Sequence, residues 1–184
     1  MVREDGKKYY AVVDDYSVIF DASTNPWLLK NVLKYLPYSI NEEGTLGYNT
    51  KHPDYSAIKS KETIAEEVRK FITGTTNPEL WAYYSAYDHV ALCQLFGRMI
   101  DLPHGIPMYT NDLKSLMVSM GNPRVPEQSE GAHNALADAL WNKETYAYLR
   151  GHKKDPQRLL GEFQLGSMEP IITESYTSEG VYRW

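Results

Sequence analysis

Residues 79–97 read ELWAYYSAYDHVALCQLFG, an aromatic, strand-like segment followed directly by a helical pattern. From Asp88, the apolar residues Leu92, Leu95 and Met99 follow at intervals of four, seven and eleven positions. This is the spacing of one face of an α-helix. The stretch therefore predicts a strand that runs into a helix whose apolar face carries a carboxylate. A buried, unpaired carboxylate is costly, so the position of Asp88 on an apolar face requires an explanation.

A second helical pattern, over residues 133–150, repeats this feature. Asp138 shares its face with apolar residues at −3, +3, +8 and +11, namely Ala135, Trp141, Tyr146 and Leu149. Two carboxylates that face each other repel unless cations lie between them. Oxygen ligands suit Mg²⁺ or Mn²⁺, which proteins commonly hold with one or two carboxylates and substrate phosphate oxygens. The two helices together predict a divalent-metal site.

His133 precedes Asp138 by five residues and lies at the entrance of the predicted helix. From there it could act as a general base toward an attacking water. Simpler roles remain open for each residue: Asp88 as a helix cap, Asp138 in an ion pair and His133 as a hydrogen-bonded loop histidine. The simple role is preferred for His89, His104 and His152. It is also preferred for three aromatic residues, which we expect to pack within the strand rather than stack on bases: Tyr83, Tyr84 and Tyr87.

Strands alternate with helices along the chain, which indicates an α/β layer architecture. Further helices are predicted over 25–37, 60–74 and 110–121, a strand over 7–15, and a long loop over 38–59. After Gly151 the composition shifts to Gly, Pro, Ser and charged residues. We predict one domain over residues 1–150 and a C-terminal tail over 151–184.

Composition narrows the class of protein. The 184 residues are 42% apolar and 23% charged, with a single cysteine, Cys93, which excludes an intrachain disulfide and favours a reducing compartment. No apolar run is long enough to span a membrane, and residues 1–10 do not resemble a signal peptide, so a cytoplasmic location is expected. A net charge of −5 argues against a broad nucleic-acid-coating surface. It leaves room for an enzyme that holds one strand end through metal ions.

The segment LWAYYSAYDHVALCQLFG, followed some forty residues later by HNALADA, resembles the DEDDh 3′–5′ exonucleases. Within them it is most similar to the RNase AS-like, polyadenylate-specific exoribonucleases, and the resemblance extends from about residue 4 to Tyr148. It implies a ribonuclease H-like fold with a five-stranded mixed sheet. Asp88 would be the acid of the second motif, and His133 and Asp138 the base and acid of the third. The resemblance also implies two Mg²⁺ or Mn²⁺ ions, a single-stranded RNA 3′ end as substrate with an adenosine preference, and a homodimer.

One family feature is not found, because the chain has no D-x-E pair on an opening strand. The segment EDGKKYYAVV resembles the region that follows that strand, with Glu4 and Asp5 in a hairpin turn. Asp14 and Asp15 are adjacent and do not have D-x-E spacing. We therefore expect weak or absent nuclease activity, and the alternative is a non-catalytic relative that binds nucleotides or RNA or dimerises. A metal phosphohydrolase that uses His89 beside Asp88 is less favoured, because the order is Asp-His.

Overall fold

The computed structural model describes residues 1–41, 44–128 and 134–151. Short strands alternate with six helices in these ranges. In chain order they are β1 (Val12–Val13), α1 (Tyr16–Ser23), α2 (Pro26–Asn31), β2 (Tyr38–Ile40), β3 (Leu46–Tyr48), β4 (Ile58–Lys59), α3 (Lys61–Thr73), β5 (Trp81–Ala82), α4 (Ser85–Phe96), β6 (Asn111–Asp112), α5 (Leu113–Ser119) and α6 (Ala135–Gly151).

The strands of the described residues form three two-stranded sheets. β1 pairs with β4 and β5 pairs with β6, both in parallel, whereas β2 and β3 form an antiparallel hairpin. A bridge between Val2 and Lys8 closes the predicted turn at Glu4 and Asp5, which is thereby confirmed. The mixed α/β class is confirmed as well, while the five-stranded ribonuclease H-like sheet stays a prediction.

The predicted helices form where an apolar stripe follows a capping side chain. Ser60 caps α3 by accepting a hydrogen bond from the Thr63 backbone N–H at 3.2 Å. The α3 stripe of Ile64, Val68 and Ile72 is buried. Asn25 caps α2, but α2 ends at Asn31, and a single 3₁₀ turn over Leu33–Tyr35 continues the predicted segment.

Two predictions about the first sixty residues were incomplete or wrong. The segment 38–59 is not one loop, because it contains the β2–β3 hairpin and β4. Tyr38 and Leu46 are buried, so the two strands of the hairpin cover apolar surface despite the polar residues between them. Helix α1 was not predicted, since its sequence YSVIFDAS is short and follows two acidic residues.

The helix that carries Asp88 begins as predicted but ends early. Gly97 terminates α4 with a φ of 116°, a conformation that favours glycine. Met99 therefore lies in a separate 3₁₀ turn and is exposed, although the sequence places it on the same face as Asp88. Asp88 itself is exposed rather than buried in the apolar stripe, whereas Leu92 is buried.

The buried apolar residues of the described ranges form three clusters. One joins β1 to the hairpin, and a second lies between α3 and α4. The third consists of Leu113, Met117 and Leu149 and joins α5 to α6. None of the described helices is both long and apolar enough to cross a bilayer. The predicted tail over 151–184 lies outside the described residues except for Gly151, so its boundary stays a prediction.

Candidate active site

The candidate site lies where β5 and β6 end. These strands pair in parallel, with Trp81 opposite Asn111 and Ala82 opposite Asp112. Parallel strands bring their carboxyl ends to the same edge, which is where α/β proteins place their ligands. Helix α4 begins three residues after β5, so Asp88 in its first turn lies near this edge.

The charge of Asp88 is unfavourable in its surroundings. Although Asp88 is exposed, surrounding protein atoms desolvate the carboxyl group and raise its pKa, its own backbone N–H lowers the pKa, and the charge of Asp138 raises it further. The amino group of Met1 makes a small opposing contribution, and the net pKa is raised. The two acids therefore lie within electrostatic range of each other, although 50 residues separate them in the sequence.

Asp138 reaches the site from the first turn of α6. Asn134 begins this helix by accepting hydrogen bonds from the backbone N–H groups of Leu136 and Ala137, each at 3.1 Å. The side-chain amide of Gln128 donates to the Asp138 carboxylate at 2.5 Å. Helix α6 packs against β5 and α5, and α4 packs against the same strand, so both acid-bearing helices adjoin β5. Two carboxylates that repel each other in this way form a site that a divalent cation can neutralise.

Asp112 organises this edge, and the sequence analysis missed it. One of its oxygens accepts the backbone N–H of Ser85 at 2.7 Å, and the other accepts that of Ser115 at 2.6 Å. The carboxylate thus caps α4 and α5 together. Burial alone would raise the pKa of Asp112, but these hydrogen bonds outweigh it and hold the pKa below its usual value. In the segment NDLKSL, an Asp stands between a strand and an apolar helix, and this order was a signal for the α5 cap. No local pattern indicates the contact with Ser85.

The histidines have different positions. His133 lies outside the described residues and directly precedes Asn134, the residue that caps α6. The Nδ1 atom of His89 lies 3.1 Å from the Thr110 hydroxyl, so this ring is engaged with the residue before β6. Its Nε2 atom is buried with no hydrogen-bond partner among the described residues. His104 is exposed, and His152 lies outside the described ranges.

The remaining acidic candidates near the N-terminus have local contacts. The Tyr48 hydroxyl donates a hydrogen bond to Asp14, and Asp15 accepts hydrogen bonds from the backbone and hydroxyl of Ser17 at 3.1 and 2.6 Å. Across residues 1–41, 44–128 and 134–151, no three His, Cys, Asp or Glu side chains converge as a ready-made metal site. The described part of the site is therefore the pair Asp88 and Asp138.

Aromatic rings connect the two acid-bearing helices. Tyr83 packs edge-on against Trp141 and against Tyr84, with ring centroids 5.2 and 4.7 Å apart. The expectation that Tyr83 packs on its neighbours is thereby confirmed. Tyr84 and Tyr87 differ from it, because Tyr84 is the exposed N-cap residue of α4 and Tyr87 is an exposed residue within that helix rather than in a strand.

Comparison with known proteins places this arrangement in a family. A model of the 3′–5′ exoribonuclease Rv2179c-like domain matches residues 3–149. Two proteins from strains of Mycobacterium tuberculosis are similar, 3′–5′ exoribonuclease Rv2179c and 3′–5′ exoribonuclease MT2234.1. Each is 38% identical over 142 residues, which cover 76% of this chain and 74% of the relative. The matched segment includes both acid-bearing helices and the β5–β6 edge, so the chain belongs to the Rv2179c-like family of 3′–5′ exoribonuclease domains.

Proposed function

We propose that this chain is a 3′–5′ exoribonuclease that hydrolyses single-stranded RNA from its 3′ end. Family membership and the exoribonuclease activity for which the two mycobacterial relatives are named support the reaction class. The observation that carries the proposal is the electrostatic conflict between Asp88 and Asp138 beside the carboxyl ends of β5 and β6. A phosphodiester substrate is anionic, so two carboxylates would repel it unless a bound cation neutralises their charge.

The donor chemistry of the site fits a divalent cation. Asp88 and Asp138 offer hard oxygen ligands, and the charge of Asp138 disfavours the ionised form of Asp88. These two residues would hold one Mg²⁺ or Mn²⁺ together with substrate oxygens. The two ions that the family resemblance implies need further donors, and the described residues do not supply a third side chain of the usual kinds. When bound, such an ion neutralises charge at the phosphate and makes water a better nucleophile.

His133 is the proposed general base. In the sequence it directly precedes Asn134, which caps α6, and stands five residues before Asp138. Its imidazole changes charge near neutral pH, so it can take the proton of the attacking water. Asp88 and Asp138 would bind the cation, and the side-chain amide of Gln128 orients the Asp138 carboxylate.

The activity is tested with a single-stranded RNA labelled at its 5′ end and incubated with Mg²⁺ or Mn²⁺. We expect shortening from the 3′ end with release of nucleoside monophosphates, at a low rate because the chain has no D-x-E pair to supply further metal-binding carboxylates. Asp88→Asn and Asp138→Asn should each remove the activity, whereas Asp101→Asn should not. Asp101 is a matched control because its carboxylate is exposed and paired with Arg98 outside the site. Wild-type rates in both site variants would overturn the proposal.

A second candidate function is a non-catalytic module that binds RNA or nucleotides. The observation in its favour is the pair of carboxylates without a third metal-binding side chain among the described residues. RNA binding without any shortening of the labelled strand, in either metal, would favour this candidate over the nuclease.

Three finer properties follow from the family resemblance and are proposed with the activity. An adenosine preference would appear as faster shortening of an oligoadenylate than of an oligouridylate of equal length. A homodimer would appear as twice the 21.1 kDa chain mass in sedimentation equilibrium. The ribonuclease H-like sheet would join β5–β6 and β1–β4 into one sheet, which an experimental structure would show.

A further inference from the structure

We propose that the ring of Tyr84 is a stacking platform for an unpaired base of the RNA bound at the Asp88–Asp138 site. The inference deepens the proposed function and rests on it for the substrate class. It assigns the base contact to one side chain, whereas the acids act on the phosphate.

The exposure of Tyr84 is not explained by the start of α4. Tyr84 is the N-cap residue, but its side chain makes no capping hydrogen bond. Its backbone has φ 57° and ψ 52°, a left-handed conformation that glycine or asparagine adopts at much lower cost. Such a conformation at a bulky residue costs about 1–3 kcal/mol and is found most often at functional sites. A tyrosine here, 55% exposed, serves neither the helix nor the core.

The Tyr84 ring is nevertheless held in place. The Tyr83 ring packs against it at 70° between planes, and Tyr83 packs in turn against Trp141 at 80°. Tyr84, Tyr83 and Trp141 thus form a row of rings. The indole N–H of Trp141 donates to the Pro126 carbonyl at 2.8 Å, which fixes the Trp141 end of this row. A ring that is already oriented loses little conformational freedom when a base stacks on it.

The row of rings also lies in the right place. Tyr84 precedes Asp88 by four residues, and Trp141 follows Asp138 by three. One end of the row is therefore at the start of α4, whose first turn carries Asp88, and the other end is about one helical turn from Asp138 along α6. A nucleotide whose phosphate lies at the acids would have its base, or the neighbouring base, within reach of Tyr84. Stacking of this kind tolerates any base, so it would supply affinity, and the proposed adenosine preference would come from other contacts.

Tyr87 provides the comparison within the same helix. It is 82% exposed and directly precedes Asp88. Unlike Tyr84, it has no ring partner among the described residues, so its side chain is not held in one orientation. Exposure alone would favour Tyr87, whereas preorganisation favours Tyr84, and the two can be separated by substitution.

The experiment measures binding without turnover. A 5′-fluorescein RNA of eight nucleotides is titrated in Ca²⁺ buffer, with either normal or abasic nucleotides at the last two positions, and its integrity is checked on a gel. Fluorescence anisotropy gives Kd for each RNA. The wild-type chain should prefer the intact RNA by about 5- to 150-fold, the usual size of base–aromatic stacking. Tyr84→Phe should keep this preference, because it keeps the ring.

Tyr84→Asn should abolish the preference while preserving the start of α4, since asparagine tolerates the left-handed conformation. Tyr84→Leu is a second ring-less variant that keeps apolar bulk against Tyr83, and it should also lose the preference. Tyr87→Asn should change the preference less than Tyr84→Asn does. These ratios do not depend on hydrolysis, so the inference is judged separately from the nuclease activity.

Three results would overturn the inference. The first is a wild-type chain that binds intact and abasic RNA equally or binds neither. The second is a folded Tyr84→Asn or Tyr84→Leu variant with the wild-type preference, which is also what a Tyr84 that contacts a protein partner would give. The third is a larger loss in Tyr87→Asn than in Tyr84→Asn.

Discussion

At the scale of single residues, the charge of Asp88 is expected to lower the stability of the folded chain. The pKa of Asp88 is raised by partial burial and by the Asp138 charge, so the ionised form of Asp88 is disfavoured in the folded chain. Sites that hold charges ready for a ligand commonly reduce stability when the ligand is absent. The effect should therefore be measurable as a stability gain when the charge is removed.

Asp88→Asn should make the chain more stable in EDTA at pH 7. Folding raises the pKa of Asp88, so the ionised carboxylate destabilises the folded chain at every pH above the folded-state pKa. The uncharged asparagine amide removes this destabilisation. We expect Tm to rise by about 1–4 °C in a thermal melt. Asp101→Asn is the control with the opposite sign, since hydrogen bonds from Arg98 hold the pKa of Asp101 below its usual value. A lower Tm for Asp88→Asn would contradict the proposed electrostatic conflict.

The second residue-scale prediction concerns His133. His133→Ala should slow the chemical step by about 10²–10⁴-fold, the usual contribution of a general base. Mn²⁺ affinity should stay near the wild-type value, because the carboxylates hold the ion, whereas Asp138→Asn should lose both affinity and activity. Single-turnover rates and Mn²⁺ titration separate the two roles, with exposed His104→Ala as the control. A loss of Mn²⁺ affinity in His133→Ala as large as in Asp138→Asn would make His133 a ligand.

At the scale of elements, one carboxylate fixes the starts of two helices. Asp112 accepts backbone N–H groups from both Ser85 and Ser115, and Tyr84 contributes no side-chain cap to α4. The first turn of α4, which carries Asp88, is therefore held by a residue 27 positions away. We therefore predict that Asp112 is a positioning residue, which would act on the candidate site through α4.

Removing this double cap should reduce stability and activity together. Asp112→Ala loses both acceptors, and we expect a loss of about 0.5–2 kcal/mol for each cap in urea unfolding. Asp112→Asn keeps one acceptor and should lose less. Ser60→Ala removes a comparable cap from α3, away from the site, and should lower stability while the turnover of the folded enzyme is unchanged. Equal turnover in Asp112→Ala and Ser60→Ala would show that Asp112 does not position the candidate site.

The contribution of Asp112 should also depend on pH. Its pKa is lower in the folded chain than in the unfolded one, so its charge stabilises the fold at all pH values above about 4. This stabilisation is lost as the pH falls through the lower, folded value. The gap in Tm between the wild type and Asp112→Ala should therefore be full at pH 7 and become smaller below about pH 4. A gap that grows on acidification would contradict the assignment.

At the scale of the whole molecule, separate apolar clusters hold the site together. The cluster of Leu113, Met117 and Leu149 joins α5 to α6, and Trp81 of β5 packs against it. The N-terminal turn is also tied to α6, since the Lys143 ammonium donates to the Glu4 carbonyl at 3.0 Å. The position of Asp138 thus depends on contacts made three turns further along α6.

Leu149→Ala should test this dependence. Leu149 is fully buried, so the substitution leaves a cavity and should lower the free energy of unfolding by about 2–5 kcal/mol. Val118→Ala, on the exposed side of α5, should change it by no more than about 0.5 kcal/mol. Urea unfolding followed by circular dichroism measures both. Similar losses in the two variants would mean that this cluster does not hold the α5–α6 contact.

The sequence alone determined the elements with long amphipathic patterns and clear caps. Helices α3, α5 and α6 and the β5–α4 connection follow from the spacing of apolar residues. Local patterns also predicted Asp88 and Asp138 as candidate site residues, because each acid shares the spacing of an apolar stripe. The β2–β3 hairpin and α1 were missed, since short elements with mixed composition have weak periodicity and are formed by packing against neighbours.

Only the tertiary structure decided how these pieces meet. The parallel pairing of β5 with β6 and the packing of α6 on β5 bring Asp88 and Asp138 into electrostatic range across 50 residues of sequence. The reach of Asp112 to Ser85 and the left-handed backbone of Tyr84 are likewise absent from any local pattern. The physical reason is that periodicity records which side chains are buried within one element, whereas contacts between elements depend on how several buried faces pack at once.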